Sequence, residues 1–591
     1  KCPGVFGDRV DLWKLMGSYT EVKKKKYIPT LTKYLLLFAT GQIPKDLAPF
    51  HNINLALAFL KPDPASEDLK PGYKPNPIPG KMKIRPIGGP TAIQRIAAKF
   101  LNALTLKHNT AYLTAQGQVA VGVLDGPTIM GEMVQLGIER MCTEVQVPWI
   151  QEEEMSTLPN HTRQHLLKLR DDLQLDSSMA VGAASTTDLT QMFNVCSRKE
   201  YFDAIAKDES LSNQLPYMSF LYGISTTKYT ARTPQGNIVT FEQLDGMAQG
   251  GPMSPVAATI IQSRAMSIIR DNVNAFIKDG NNFPAPNEYR DNPIEYVAAL
   301  SQSRQRVLQK ALDVVSFMDD SHYVNSYAVT ILTWKECRKT FPHFGLFEQR
   351  EKLHVFLGKS YDKHWREFHK ETKTFGSRNF VEVLKEDFGV DLTIPPNPKS
   401  LAVKLLGVAR GEHSGRSAIS QDIIKKAKAK VEKVDNLNLP FNHMYNLTQL
   451  CTSRALLHIL STPRNHLEIQ EIAEPIHDIM QASIASMVNV PITHPDFESA
   501  MEEITLSRSQ AGAGLPAPLK TIKAAILASR LRALSCASTE YENSGFPLNQ
   551  TARPEQDEKI VNLNPQQFLH ISSQLQSGSE EGMTKGVQIA L

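Results

Sequence analysis

The sequence predicts an α+β chain in which short antiparallel strands carry carboxylates at their ends and a helical region follows. Three observations point there. Phe317-Met318-Asp319-Asp320, between the apolar run Val314-Val315-Ser316 and Ser321-His322-Tyr323-Val324, reads as strand, tight turn and strand, with two adjacent carboxylates at the tip. Upstream, Ser185-Thr186-Thr187-Asp188 is β-prone up to Asp188 and can turn into helix over the residues that follow. Beyond about residue 412, apolar residues recur at helical spacing.

In chain order, residues 1–74 are expected to form a mostly helical N-terminal extension, with an apolar stretch over 31–40. Pro62-Asp63-Pro64 and the proline-rich 71–79 mark a linker-like break. Residues 75–180 form a second region. Its stretch 116–139 carries Gly117, Gly122 and Gly126, and 148–178, with Glu152-Glu153-Glu154 and a charged helix, reads as an insertion. A third region, 181–411, holds the carboxylate strands, and within it the Asn-, Asp- and Pro-rich 278–296 reads as a surface loop. Helices are expected over 420–434, 445–460 and 469–490, forming a region 412–495, with a further helical segment over 496–541. From about 542 to 591 Ser, Gln, Glu and Asn dominate and a disordered tail is expected.

The carboxylates carry the chemistry. An isolated Asp-Asp pair is usually a solvated turn, whereas one flanked by apolar strands is held still. Hard divalent cations such as Mg²⁺ bind carboxylate and phosphate oxygens together. One hairpin has too few ligands, and Asp188, at the end of a neighbouring strand, supplies another. Such strand-end carboxylates suit a two-metal site. Between them runs Gly246-Met247-Ala248-Gln249-Gly250-Gly251-Pro252-Met253-Ser254-Pro255. Its glycines let backbone approach a ligand closely, and Pro255 suits the first turn of the helix that follows.

Bulk properties agree. A chain of 591 residues can bury a large core, and 41% hydrophobic with 21% charged residues is a globular composition. A net charge of +4 gives no global basic field, so nucleic-acid binding would rest on local patches such as 23–26 and Lys425, Lys426, Lys428 and Lys430. The six cysteines are scattered with no Cys-x-x-Cys pair, which argues against a zinc knuckle and fits a reducing, intracellular compartment. No apolar run reaches transmembrane length and no signal-peptide pattern begins the chain, so no membrane partner is expected. The start at Lys1 rather than Met fits a piece of a longer reading frame.

Taken in order, Asp188-x4-Phe193, Gln249-Gly250-x-Pro-x-Ser-Pro and Phe-Met-Asp-Asp resemble motifs A, B and C of reverse transcriptases. Lys83-Ile84-Arg85-Pro86-Ile87 resembles the fingers segment that holds the incoming triphosphate. Gly345-Leu346-Phe347-Glu348-Gln349-Arg350-Glu351-Lys352 resembles motif D, and Lys404-Leu405-Leu406-Gly407-Val408 resembles motif E, the primer grip. The segments Arg85-Pro86-Ile87-Gly88, Gln94-Arg95-Ile96-Ala97-Ala98-Lys99 and Phe193-Asn194-Val195-x-Ser197-Arg198 look most like the polymerases of non-long-terminal-repeat (LINE-type) retrotransposons. The likeness runs over about residues 75–535.

The resemblance implies a right-hand polymerase: fingers over 75–180, palm with an antiparallel sheet over 181–411 and helical thumb over 412–495. Asp188, Asp319 and Asp320 would be the metal ligands for two Mg²⁺ ions, with Mn²⁺ as an alternative. One ion would activate the primer 3′-hydroxyl and the other stabilise the leaving pyrophosphate. Leu189 would lie near the metal by its carbonyl. Gln249 and Gly250 would lie along the nucleotide, and Lys83 and Arg85 would pair with its phosphates. Lys352 would donate a proton to pyrophosphate, and Phe317 and Gly407 would contact the primer. Gly251 departs from the acidic residue many relatives carry, and Gln349 from their Asn; neither is a metal ligand.

The implied activity is RNA-directed DNA polymerisation on an RNA template, extending a DNA primer with dNTPs in target-primed reverse transcription, in the nucleus if the host is eukaryotic. Phe193, five residues after the metal Asp, would collide with a ribose 2′-hydroxyl and select deoxynucleotides. No nuclease domain is found in the sequence. The alternatives are an intron-maturase-like or domesticated reverse transcriptase, an RNA-dependent RNA polymerase, which the absence of an acidic residue over 190–194 opposes, and a decayed remnant that only binds RNA.

Overall fold

The computed structural model describes residues 21–51, 53–61, 83–123, 126–144, 182–223, 226–232, 235–278, 314–349, 353–357, 377–390, 402–406, 408–411, 413–437, 439–449, 459–460, 466–505 and 515. The expected insertion at 148–178, the loop beyond residue 278, most of the 496–541 segment and the 542–591 tail lie outside the described residues. The chain mixes helix and sheet and divides into two compact units. The first holds Lys1–Gly126, Glu144–Val355 and Lys363–Ile394; the second holds Pro127–Thr143, Phe356–Asp362 and Pro395–Leu591.

The first unit opens with helix α1 (Glu21–Ala39) and then, against expectation, with strand β1 (Ile53–Lys61) inside the stretch read as helical. Asn-Leu-Ala-Leu-Ala-Phe-Leu has no resolved period, and so short an apolar run is compatible with strand or buried helix. Partners on both sides decide it. β1 pairs antiparallel with β2 (Lys83–Gly89), from Leu55 opposite Gly89 to Lys61 opposite Lys83, and parallel with β4 (Thr227–Arg232). β5 (Ile238–Gln243) pairs antiparallel with β4 and completes a sheet of order β2-β1-β4-β5. This sheet joins strands on both sides of the expected boundaries at residues 74 and 180.

The second sheet of this unit has the order β6-β7-β3-β8. β3 (Gly182–Asp188) pairs antiparallel with β7 (Asp320–Ser326) along its whole length, and β6 (Val314–Phe317) pairs antiparallel with β7 across a two-residue turn. β8 (His354–Leu357) follows on the far side of β3. Three helices dominate the surrounding layers. α2 (Ala92–Thr114) starts with a capping box in which the Thr91 hydroxyl accepts from the Gln94 amide and the Gln94 side chain accepts from the Thr91 amide.

α3 (Gly126–Glu144) leaves for the second unit. Motif A continues into the single turn α4 (Met192–Val195) and α5 (Arg198–Lys207). α6 (Ser254–Lys278) buries Val256, Ala257, Ile260, Ile261, Ala265 and Ile269 and is the core helix of the unit. Each buried Ile or Val there contributes about 1.5–3 kcal/mol over leaving it in water. α7 (Tyr327–Thr340), directly after β7, buries Val329, Ile331, Trp334 and Cys337, and α8 (Phe380–Phe388) sets Phe388 against Trp334 with ring centroids 5.1 Å apart.

The second unit contains β9 (Ala402–Leu405) and β10 (Val408–Gly411), an antiparallel hairpin, with the helices α9 (His413–Asp435), α10 (Phe441–Leu447), α11 (His466–Val488) and α12 (Phe497–Thr505). The hairpin was expected in the palm, ending at 411; it belongs to this unit instead. The reason is local. Arg410 is fully buried and ion-paired with Glu132 of α3 at 2.8 Å. The Gln135 side chain accepts from the Gly411 amide at 2.7 Å and donates to its carbonyl at 3.0 Å. α9 and α11 share an apolar core that includes Ile424, Val431, Ile472, Ile476 and Met480, and Arg416 pairs with Glu468 across them.

Candidate active site

The site begins where β3 ends. Asp188 is its last residue and stands directly opposite Asp320, the first residue of β7. Directly opposed residues on antiparallel strands have Cα atoms about 4.5–5.5 Å apart and side chains on one face of the sheet. Asp319 occupies the second position of the β6–β7 turn, next to Asp320, and Phe317 stands opposite Asp320 on β6. Asp188, Phe317, Asp319 and Asp320 are all half-buried. The turn is tight because Met318 adopts φ 55°, the left-handed region.

Asp188 is held from its other edge as well. The Gln349 amide donates to the Asp188 carbonyl at 2.8 Å, the Thr190 amide donates to the Phe347 carbonyl at 2.7 Å, and Leu189, buried, bridges Glu348. The segment resembling motif D thus extends the sheet beside Asp188. Below the hairpin tip, burial pushes the His322 imidazole down to about 4, so the ring is neutral at pH 7 and puts no positive charge behind the carboxylates.

Two further pieces attach by backbone. After Asp188 the chain turns through Gln191, φ 48°, into α4, which carries Phe193 half-buried. The Phe193 carbonyl accepts from the Met247 amide at 2.6 Å and the Cys196 carbonyl from the Gly246 amide at 2.9 Å, so the segment after Asp188 and the glycine loop are bonded to each other. The Gln249 carbonyl accepts from the Gly88 amide at 2.6 Å, tying the same loop to β2. Gly250, at φ 118°, allows this approach: a Cβ there would lie 2.3 Å from the Gly88 carbonyl oxygen.

β2 carries Lys83 and Arg85 at alternate positions, opposite Lys61 and Phe59. Their side chains lie outside the described residues, as do Lys352 and Gly407 altogether. The structure therefore brings together Asp188, Phe317, Asp319 and Asp320, with Leu189 following Asp188, and separately ties Phe193 and Gln249 by backbone bonds through the 246–250 loop to β2.

Arg198 is a residue of this site whose role sequence reasoning left unread. It is 7% exposed, and its guanidinium donates to the Gly246 carbonyl at 2.8 Å, the Gln243 carbonyl at 3.2 Å and the Thr227 hydroxyl at 2.9 Å. Its backbone amide donates to Asp245 at 2.8 Å, and it lies 4.9 Å from the Tyr222 ring centroid. One cation thereby fastens motif A, the start of the motif B loop and the first sheet. The signal in the sequence was only its place in the Ser197-Arg198 continuation of motif A.

The donor set suits a hard divalent cation. Among the described residues no group of three or more His, Cys, Asp or Glu that could by itself hold a metal ion is found. Mg²⁺ characteristically takes one or two carboxylates and completes its shell with water and substrate phosphates. The facing Asp188 and Asp320, with Asp319 adjoining, fit that open pattern. Among the described residues no helix is long and apolar enough to cross a membrane.

No protein-family profile matches this chain, and no curated protein does. Solved structures similar to it include apo telomerase from Candida tropicalis, 12% identical with a TM-score of 0.30, over 85% of this chain and 67% of that one. Another is telomerase from Candida albicans in complex with a TWJ fragment of telomeric RNA, 10% identical with a TM-score of 0.31, over 87% and 64%. The Candida tropicalis telomerase truncated from its C-terminal domain is 13% identical with a TM-score of 0.23, over 52% and 51%. The chain thus spans about half to two thirds of the length of these telomerases. Identities and scores this low leave the functional reading to the residues of the site.

Proposed function

We propose that the chain is an RNA-directed DNA polymerase of right-hand layout that extends a DNA primer 3′-hydroxyl with dNTPs on an RNA template. The observation that carries the reading is Asp188 facing Asp320 across β3 and β7 with Asp319 in the adjoining turn, and Phe193, which follows Asp188, bonded through its carbonyl to the loop that carries Gln249 and Gly250. Asp188 and Asp319, with Asp320 beside them, would hold divalent cations. Such cations, when bound, neutralise phosphate charge and lower the pKa of a bound hydroxyl.

The chain's own residues do the rest. The Gln249–Gly250 backbone, docked on β2, forms a wall along which a nucleotide base and sugar can lie. Lys83 and Arg85 supply positive charge for its phosphates. Phe193 excludes a 2′-hydroxyl, and Phe317 packs near the primer terminus. Lys352 protonates the leaving pyrophosphate, and Gly407 contacts the primer. The motif set supports a source in a non-long-terminal-repeat retrotransposon, with a nicked chromosomal end as primer and a nuclease supplied from elsewhere.

The test is primer extension on poly(rA)–oligo(dT) with Mg²⁺, comparing dTTP with UTP and the native chain with Asp319→Ala. Extension by dTTP alone, lost in the variant, is the expected result. Preference for UTP would make the chain an RNA polymerase. Tight duplex binding without extension by either nucleotide would make it a binding protein.

A further inference from the structure

The turn that carries Asp319 is strained. Met318 has a Cβ yet sits at φ 55°, which costs on the order of 1–3 kcal/mol and persists only where the surroundings over-determine it. One buried side chain does so. Gln118, 1% exposed, accepts from the Met318 amide at 3.0 Å and donates to the Met318 carbonyl at 3.3 Å. Its oxygen also accepts from the Ala120 amide at 3.2 Å, and its nitrogen also donates to the Gln262 side chain at 3.2 Å. A primary amide has two acceptor sites and two donor hydrogens, and here all four are used. That pattern sets which end of the amide is oxygen and leaves it no second orientation.

The surroundings extend the clamp. The Ser316 amide donates to the Gly117 carbonyl at 2.8 Å and the Val119 amide to the Ser316 carbonyl at 2.9 Å, so 117–119 lies along β6 as a short parallel partner. Gln262, on α6 and 1% exposed, donates to the Ser321 hydroxyl at 3.1 Å, which is 2.8 Å from the Ser316 hydroxyl. The hairpin is therefore gripped on β6, on β7 and at its turn by a connected set of buried polar groups.

We propose that Gln118 is a positioning residue for the cation site: by holding both backbone polar groups of Met318, it sets the direction in which Asp319 presents its carboxylate beside Asp188 and Asp320. The peptide unit whose carbonyl Gln118 binds is the one that leads into Asp319. A free rotation of that unit would swing the carboxylate away from its neighbours. This rests on the polymerase reading only for its consequence in catalysis; the clamp itself is independent of substrate.

The experiment uses the full chain and Gln118→Met, which keeps the volume and loses all four bonds. Three quantities are read: hydrogen exchange of a peptide covering 314–323, affinity for Mn²⁺ by electron paramagnetic resonance without nucleotide, and primer extension with kcat and KM for dTTP. Exchange at the hairpin tip rises about tenfold as the Met318 amide loses its partner. Mn²⁺ affinity falls about 10–100-fold, as outer partners of metal ligands typically do on mutation. In extension kcat falls with it while KM for dTTP changes little, at a temperature where the variant is still fully folded.

Where Gln118→Met does not fold, Gln262→Met, which removes one of the four bonds, should show the same pattern at smaller size. Unchanged exchange and unchanged Mn²⁺ affinity overturn the proposal whatever kcat does. So does a fall in thermal midpoint that accounts for every loss. A native chain that binds Mn²⁺ but extends nothing sinks the polymerase reading and leaves the exchange and affinity measurements to decide the clamp.

Discussion

Asp188 and Asp320 are direct partners at the end of the β3–β7 ladder. Two carboxylates facing each other across a ladder repel, and the cation proposed for this site would relieve that repulsion on binding. Added Mg²⁺ should raise the thermal midpoint of the native chain and leave that of Asp320→Asn and Asp188→Asn nearly unmoved. Primer extension should fall on the order of 10³-fold in Asp188→Asn, a loss of several kcal/mol of charge stabilisation. Equal response of native and variant chains to Mg²⁺ would place the cation elsewhere.

Phe193 is held by its own carbonyl, which accepts from Met247 at 2.6 Å, so the ring departs from a backbone bonded to the motif B loop. Phe193→Ala opens the sugar position without loosening that bond. Use of UTP relative to dTTP should rise on the order of 10–100-fold, the range one steric contact discriminates. The check is single-nucleotide extension with each triphosphate in turn, and an unchanged ratio would remove Phe193 from sugar selection.

Gly250→Ala meets two obstacles at once. Its φ of 118° disfavours any Cβ, and that Cβ would stand 2.3 Å from the Gly88 carbonyl oxygen. The loop must lift off β2, at a cost of about 1–3 kcal/mol. Because Gln249 moves with it, KM for dTTP should rise more than kcat falls. Steady-state kinetics with a denaturation curve checks both parts.

In the second unit, Glu132 and Arg410 form a buried pair at 2.8 Å, both almost fully shielded from water. Glu132→Ala leaves a cation without that carboxylate and should destabilise by about 3–5 kcal/mol. Replacing both, as Glu132→Leu with Arg410→Met, should recover most of that loss, since the desolvation cost of two ions disappears together. Urea midpoints of the three variants decide this, and a double variant no better than the single one would contradict it.

Local patterns were legible where chemistry and short-range geometry coincide. The β6–β7 hairpin could be read because two apolar runs bracket Met318-Asp319, and a two-residue turn needs nothing distant to form. The helix beginning at Ser254 was visible from Pro255 ahead of an apolar run, and α9 and α11 from apolar residues at helical spacing. β1 was not, because Ile53–Lys61 carries no period that separates strand from buried helix. Its partners β2 and β4 lie far along the chain, and only their backbone groups make it a strand. Gln118 and Arg198 were invisible for the same reason: a glutamine or an arginine in the sequence says nothing of which carbonyls it will meet.

The sequence by itself determined the order of the chemical pieces: a carboxylate at Asp188, a glycine loop at Gln249–Gly250 and a paired-Asp turn at Asp319–Asp320. Residue type and nearest-neighbour pattern suffice for that. Only the tertiary structure decided that Asp188 stands opposite Asp320, that the glycine loop bonds to both Phe193 and Gly88, and that Gln118 grips the strained Met318. Those are hydrogen bonds to backbone groups between segments remote in sequence. Buried polar groups must find partners somewhere, and which partners they find is set by how the sheets and helices close around them.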